Sequence, residues 1–187
     1  MDLKSTFYGL PYCEPDAIEP GDADIALLGI PHGAPYKNKV SHSAGAPQAI
    51  REPTLRYMHE IDHHDFDLNG VMLADKSIQV VDCGDLAVDP LDSEDNYQQI
   101  ESTVKSIRRA GAVPIILGGD DSVPIPFFAA FDDRSNLALV QSDAHIDWRD
   151  VGQSGTQGYG CSVRRASEMP QMGRIIHLGM RGVGRAR

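Results

Sequence analysis

The sequence is poor in cysteine and has no long apolar run. Its three cysteines, Cys13, Cys83 and Cys161, are odd in number and far apart, which is typical of neither a disulfide framework nor a cysteine-rich zinc site. No stretch approaches the roughly 18 consecutive apolar residues of a membrane span, and the amino terminus lacks the apolar segment of a secretory signal. These absences predict a cytoplasmic chain with no membrane partner.

Basic residues are also in the minority. The 17 lysines and arginines face 27 aspartates and glutamates, which gives a formal charge of −10. An acidic chain without a basic stripe repels phosphate backbones and anionic lipid. We therefore expect no nucleic-acid partner and favour a small cationic ligand.

The length and the apolar content predict one globular domain over residues 1–187. Of the 187 residues 41% are hydrophobic and 24% are charged, enough for a buried core. Short, nearly continuous apolar runs are typical of strands that are covered on both faces. Five such runs are found, at 23–30, 78–83, 113–117, 137–140 and 175–178.

Helical patterns lie between these runs. The clearest helix is predicted over 95–110, where Gly111 follows as a natural stop. Its apolar stripe consists of Tyr97, Ile100, Val104 and Ile107. Weaker patterns predict helices near 46–58 and 124–131. Alternation of strand and helix at this spacing predicts an α/β fold, a three-layer α/β/α sandwich with a mainly parallel sheet.

Acidic residues and a histidine follow the fourth apolar run. In an extended chain, positions 143, 145 and 147 point to one side, so Asp143, His145 and Asp147 would converge. Two buried carboxylates repel each other unless a positive group lies between them, and oxygen ligands with one imidazole favour manganese or magnesium, with zinc and nickel still open. The alternative is that Asp143 caps a turn, His145 packs and Asp147 is solvated.

A glycine-rich turn follows the third apolar run. Gly118 and Gly119 allow unusual backbone angles and a close approach to a ligand, and they place Asp120 and Asp121 at a strand end. We expect the carboxylates of Asp121 and Asp143 to lie within about 10 Å of each other, because a single ion could not otherwise bind both. The alternative is a turn whose acids face solvent.

Several motifs now resemble those of a known family, the ureohydrolases, which include arginase and agmatinase. The resemblance is collinear over most of the chain, and it is closer to the agmatinase-like branch than to arginase itself. It is carried by Gly29-Ile30-Pro31, Gly45-Ala-Pro-Gln-Ala-Ile-Arg51, Asp82-Cys-Gly-Asp85, Gly118-Gly-Asp-Asp-Ser-Val123, Asp143-Ala-His-Ile-Asp147, Arg164-Arg165-Ala166 and Gly179-Met-Arg-Gly182.

The resemblance implies a manganese-dependent amidinohydrolase that releases urea from a guanidino compound such as agmatine or guanidinobutyrate. It implies two manganese ions, a homo-oligomer, and Asp143 and His145 as catalytic residues. On the first ion it places Asp121, Asp143 and Asp147, and on the second Asp143 and His145. It also assigns Tyr159 to substrate binding, although Tyr159 could equally be a loop aromatic.

The sequence departs from the family pattern in three ways. Asp121 stands where the family usually has histidine, Tyr159 aligns with a family histidine, and the family's later S-x-D-x-D segment has no counterpart. Residues 1–187 are thus expected to form the N-terminal two thirds of the family domain. A non-catalytic protein that keeps the fold is the main alternative, and a phosphoesterase is disfavoured because no basic cluster lies beside the motif. A substrate-side role for His32 and His42 stays open.

Overall fold

The computed structural model describes residues 5–34, 41–73 and 77–182. By their contacts, the residues divide into two units. Unit 1 comprises Met1–Pro31, Gly45–Ala87 and Thr103–Gly118, and unit 2 comprises His32–Ala44, Val88–Ser102 and Gly119–Arg187. Among the described residues, no helix is long and apolar enough to cross a membrane.

Unit 1 contains a parallel three-stranded sheet. Its strands are β1 (Ile25–Gly29), β4 (Val80–Asp85) and β5 (Val113–Leu117), in the order β4-β1-β5. The central strand is buried on both faces, with Ala26 and Leu28 at 0% exposure on one face and Leu27 at 5% on the other, which explains its continuous apolar sequence. A short antiparallel hairpin, β2 (His64–Asp65) with β3 (Gly70–Val71), belongs to the same unit.

Unit 2 contains a parallel pair of strands that carries the candidate site. Strand β6 (Leu137–Ser142) pairs with β7 (Met172–Leu178), with Val140 beside Ile176 and Ser142 beside Leu178. Strand β6 alternates between partly buried and exposed positions throughout, and β7 does so from Arg174 onward. The prediction of coverage on both faces is therefore wrong for β6 and β7 within the described part, because alternation means that one face is covered and the other is not. It is also wrong for β5, where Val113 and Ile115 are 59% and 43% exposed.

The helices follow the predicted pattern. Helix α2 (Ser93–Arg109) buries Ile100, Val104 and Ile107 completely, and Gly111 follows it with a φ of 91°. Helix α1 (Ala46–Thr54) tolerates Pro53 in its last turn and passes into a 3-10 turn, Leu55–Tyr57. Two shorter helices, α3 (Pro124–Ala129) and α4 (Ser162–Ser167), lie in unit 2. The predicted α/β class with mainly parallel strands is confirmed.

Candidate metal centre

The turn after β5 directs its two neighbouring aspartates differently. Asp120 folds back on its own turn, where Oδ1 accepts hydrogen bonds from the Ser122 backbone N at 2.9 Å and from Ser122 Oγ at 2.5 Å. Its Oδ2 accepts from the backbone N of Ala34 at 2.9 Å. Asp121 is left to face Asp143 and Asp147. Asp121, and not Asp120, is therefore the aspartate of this turn that joins the acidic cluster.

Glycine is required in this turn because another segment of the chain lies very close to it. Neither Gly118 nor Gly119 adopts a positive φ, so the unusual backbone angles that glycine allows are not used here. A Cβ atom on Gly119 would overlap the backbone carbonyl of His32. The sequence predicted a close approach to a ligand, and for Gly119 the structure shows a close approach to the chain itself.

The segment after β6 is not a simple continuation of the strand. Asp143 N still donates to the Leu178 carbonyl at 3.1 Å, and His145 forms an isolated parallel bridge with Gly182. Asp147, however, has a φ of 46°, in the left-handed region that aspartate visits more readily than most residues. The expectation of an extended chain through position 147 is wrong, and it is this turn that directs Asp147 into the protein.

Three carboxylates nevertheless meet. One oxygen from each of Asp121, Asp143 and Asp147 lies within 4.8 Å of the others. This agrees with the expected proximity of Asp121 and Asp143. Asp147 is buried, Asp143 is half-buried and Asp121 is exposed, so the cluster opens to solvent on the Asp121 side.

The electrostatics of the cluster show uncompensated negative charge. Asp121 is exposed as a residue, but its pKa is raised to about 6, first by partial burial of its carboxyl group and then by the charges of Asp147 and Asp143. Burial also raises the pKa of Asp147, while the hydrogen bond from Gln141 acts in the opposite direction. The pKa of Asp143 is lowered, chiefly because the backbone N of His145 donates to it at 2.6 Å. A cation between the carboxylates would relieve this repulsion.

The donor set fits a hard divalent cation. Three carboxylate oxygens at this spacing suit manganese or magnesium, whereas structural zinc prefers sulfur and nitrogen. Gln141 is the second-last residue of β6. It supports the three carboxylates because its Nε2 donates a hydrogen bond to Asp147 Oδ2 at 2.9 Å. Gln141 was not among the predicted site residues. The signal that could have identified it is its position two residues before Asp143, because residues two apart in an extended chain point to the same side.

His145 lies beside the cluster and outside it. Its side chain is 71% exposed, and Nδ1 lies 3.3 Å from Asp143 Oδ1. The neighbouring loop approaches the ring so closely that a Cβ on Gly182 would come within 2.9 Å of His145 Cδ2. The assignment of His145 as a ligand and catalytic residue stays a prediction. Tyr159, which is 43% exposed in the 3-10 turn Tyr159–Cys161, likewise keeps its predicted role without a test.

His32 is buried, and its tautomer can be deduced from its partner. Asn96 Oδ1 accepts from the backbone N of Asp89, and Asn96 Nδ2 donates to the Asp89 carbonyl, so the amide orientation is fixed. Asn96 Nδ2 lies 3.1 Å from His32 Nδ1, which must then be the acceptor. The proton of neutral His32 is therefore on Nε2, which is buried without a hydrogen-bond partner in the described part of the chain. Protonation of Nδ1 would break the contact with Asn96.

This histidine should make stability depend on pH. Burial lowers the pKa of His32 below its ordinary 6.5, against the opposing effect of Asp120. The unfolded chain then binds the proton more tightly, so the stabilisation is complete above about pH 6.5 and is lost as the pH falls through the lowered pKa. In His32→Asn the amide oxygen can replace Nδ1 as acceptor. We expect the free energy of unfolding of His32→Asn, measured by urea titration, to fall less than that of wild type between about pH 7.5 and 5.

The control for this prediction is His63→Asn, because His63 is exposed. The free energy of unfolding of His63→Asn should depend on pH in the same way as that of wild type. Equal pH dependence in wild type and His32→Asn would contradict the assignment of a buried, neutral His32.

The chain is similar to known proteins along most of its length. The model of the arginase family matches residues 23–187. A guanidinopropionase from Pseudomonas aeruginosa is 30% identical over 184 residues, 95% of this chain and 53% of that protein. An agmatinase from Pyrococcus horikoshii is 31% identical over 153 residues, 79% of this chain and 49% of that protein. The chain thus spans about half the length of the curated relatives it matches.

Solved structures show the same fold. The proclavaminate amidino hydrolase of Streptomyces clavuligerus matches with a TM-score of 0.78 and 23% identity, over 98% of this chain and 58% of that chain. The agmatine ureohydrolase of Thermoplasma volcanium matches with a TM-score of 0.69 and 27% identity, over 91% and 55%. These neighbours identify the α/β fold as that of arginase. The family model covers most of the chain, and we conclude that the chain belongs to the arginase family.

Proposed function

We propose that this chain forms the metal-binding part of a manganese-dependent amidinohydrolase that releases urea from a guanidino compound. The observation that carries the proposal is the meeting of the Asp121, Asp143 and Asp147 carboxylates within 4.8 Å of one another. Relatives named for agmatine and guanidinopropionate support the reaction class. The family resemblance also favours a homo-oligomer, and the three scattered cysteines favour a cytoplasmic location.

The side chains have distinct tasks in this proposal. Asp121, Asp143 and Asp147 hold the first manganese ion, and Asp143 and His145 hold the second. When bound, manganese supplies Lewis acidity that activates water and polarises the guanidino group. The backbone N of His145 and the Gln141 amide orient the Asp143 and Asp147 carboxylates through hydrogen bonds, which is the usual task of groups around metal ligands.

The negative charge of the chain favours a cationic substrate. A guanidinium group is cationic, and a chain with a formal charge of −10 attracts it. Tyr159 is exposed in the turn that precedes α4, where its hydroxyl can bond substrate. The two named relatives act on compounds with different tails, so the guanidino head group is the shared part and the choice between agmatine and a guanidino acid is open.

A non-catalytic protein with this fold is the second candidate, and one observation favours it. His145 is 71% exposed and lies outside the group of three carboxylates. In the described residues the second ion would have only Asp143 and His145, and two protein ligands hold a divalent ion weakly. Aspartate at position 121 also adds negative charge where the family has histidine, which should make bound water less acidic.

Urea release tests the proposal. We expect the protein, supplied with Mn²⁺, to release urea from at least one of agmatine, arginine, guanidinobutyrate and guanidinopropionate. The Asp143→Ala variant is the matched control and should be inactive, because it lacks a carboxylate of the proposed metal site.

If wild type releases no urea from any of the four compounds, the non-catalytic candidate is favoured. Equal urea release by wild type and Asp143→Ala would contradict the assignment of Asp143 to the site.

A further inference from the structure

The aspartate before the proposed ligand Asp121 has its own role. We infer that Asp120 is a positioning residue, which clasps the 118–122 turn to the 32–34 segment and thereby holds Asp121 among Asp143 and Asp147. This inference rests on the proposed function, because it assigns Asp120 to the same metal site without direct contact with the metal.

Both oxygens of Asp120 are engaged. Oδ1 accepts from the backbone N and the hydroxyl of Ser122, and Oδ2 accepts from the backbone N of Ala34 at 2.9 Å. Ser122 is completely buried, so its two donors are shielded from water, and the three bonds as a whole are partly buried. A carboxylate with three donors fixes both its own rotamer and the turn that carries it.

The backbone strengthens the same clasp. Asp120 N donates to the His32 carbonyl at 3.3 Å, and Gly119 leaves no room for a side chain against that carbonyl. His32 is itself held by Asn96, which is completely buried. The 32–34 segment is therefore anchored, and the turn is fastened to it by a backbone and a side-chain hydrogen bond.

The clasp is needed because the ligand it positions is repelled. Asp121 lies beside the carboxylates of Asp143 and Asp147, and like charges at this distance push apart. Asp121 is also exposed, so solvent offers it an alternative position. A turn free to move would let Asp121 swing away from the cluster when no cation is bound. Holding the turn reduces the cost of assembling the ligands.

A double-mutant cycle on Mn²⁺ affinity separates positioning from general damage. In Asp120→Asn the amide nitrogen must face at least one of the three donors, so the clasp loosens while size is kept. We expect Asp120→Asn to weaken Mn²⁺ binding, measured by calorimetry, by about tenfold to a hundredfold. In the Asp121→Asn background the same change should have little further effect, because the residue it positions is already lost.

Ser122→Ala and Asp67→Asn complete the set of variants. Ser122→Ala removes one donor to Asp120 and should weaken Mn²⁺ binding by less than Asp120→Asn does. Asp67, an exposed residue of the β2–β3 hairpin, is the control, and Asp67→Asn should bind Mn²⁺ like wild type. The clasp can also be read without metal, because the Ala34 amide should exchange with solvent faster in Asp120→Asn than in wild type.

The outcomes distinguish this inference from the proposed function. If wild type binds no Mn²⁺, both are overturned. If wild type binds Mn²⁺ and Asp120→Asn weakens binding equally in both backgrounds, or leaves it unchanged, the positioning role is wrong and the proposed function stands. Unchanged exchange of the Ala34 amide would likewise overturn the clasp.

Discussion

Asp143→Ala is expected to abolish most Mn²⁺ binding, with a loss of affinity on the order of a hundredfold or more. Asp143 supplies one of the three converging oxygens, and in the proposed arrangement it is shared by both ions. Its loss leaves Asp121 and Asp147 as the only carboxylates of the described cluster. Elemental analysis after dialysis against Mn²⁺, together with calorimetry, measures the effect.

His63→Ala is the control for this prediction. His63 lies next to β2 among several acidic residues and is exposed. Replacing it would lower the manganese content only if manganese bound to acidic surfaces in general. We expect His63→Ala to retain the manganese content of wild type. Equal manganese content in wild type and Asp143→Ala would refute the assignment of the site.

Arg51→Ala is expected to cost about 3–5 kcal/mol of unfolding free energy, because it leaves the buried carboxylate of Asp82 without its cation. Arg51 is 3% exposed and Asp82 is completely buried. Arg51 Nε and Nη2 donate to the two oxygens of Asp82 at 2.8 and 2.9 Å, Nη2 also donates to the Gly84 carbonyl, and Nη1 pairs with Asp85. This cluster links α1 to the end of β4 within unit 1.

Arg51→Ala should therefore lower the melting temperature by roughly 10 °C. Arg134→Ala is the matched control, because the Arg134–Asp133 pair is 3.6 Å apart with side chains 63% and 59% exposed. Exposed pairs contribute about 1 kcal/mol or less, so Arg134→Ala should melt within a few degrees of wild type. A similar melting temperature for Arg51→Ala and Arg134→Ala would show that the buried cluster adds no stability.

Local pattern was sufficient to predict the regular elements. The stripe of α2 and the apolar run of β1 each depend on the residues of one segment and on the helical or extended repeat. The exposed face of β6 could not be predicted in this way. An apolar run has the same sequence pattern whether one face of the strand or both are covered. Val140 is 58% exposed, and coverage of its face depends on segments that are distant in sequence.

The candidate site was predictable where it depends on local pattern, and not where it depends on distant contacts. The acidic residues that follow β5 and β6 indicated a shared cluster, and three carboxylates do meet. The repeat of an extended chain failed at Asp147, because its left-handed φ of 46° ends the strand geometry. The direction of Asp120 depends partly on Ser122, two residues away, and partly on Ala34, which is 86 positions from Asp120 in sequence. A local sequence pattern cannot predict the contact with Ala34.

The central claim is that manganese binds among Asp121, Asp143 and Asp147. The most direct measurement is anomalous X-ray scattering at the manganese edge from crystals of the protein soaked in Mn²⁺. We predict a peak within bonding distance, about 2.2 Å, of an oxygen from each of these three carboxylates. A peak elsewhere, or none at this cluster when Mn²⁺ is bound in solution, would contradict the claim.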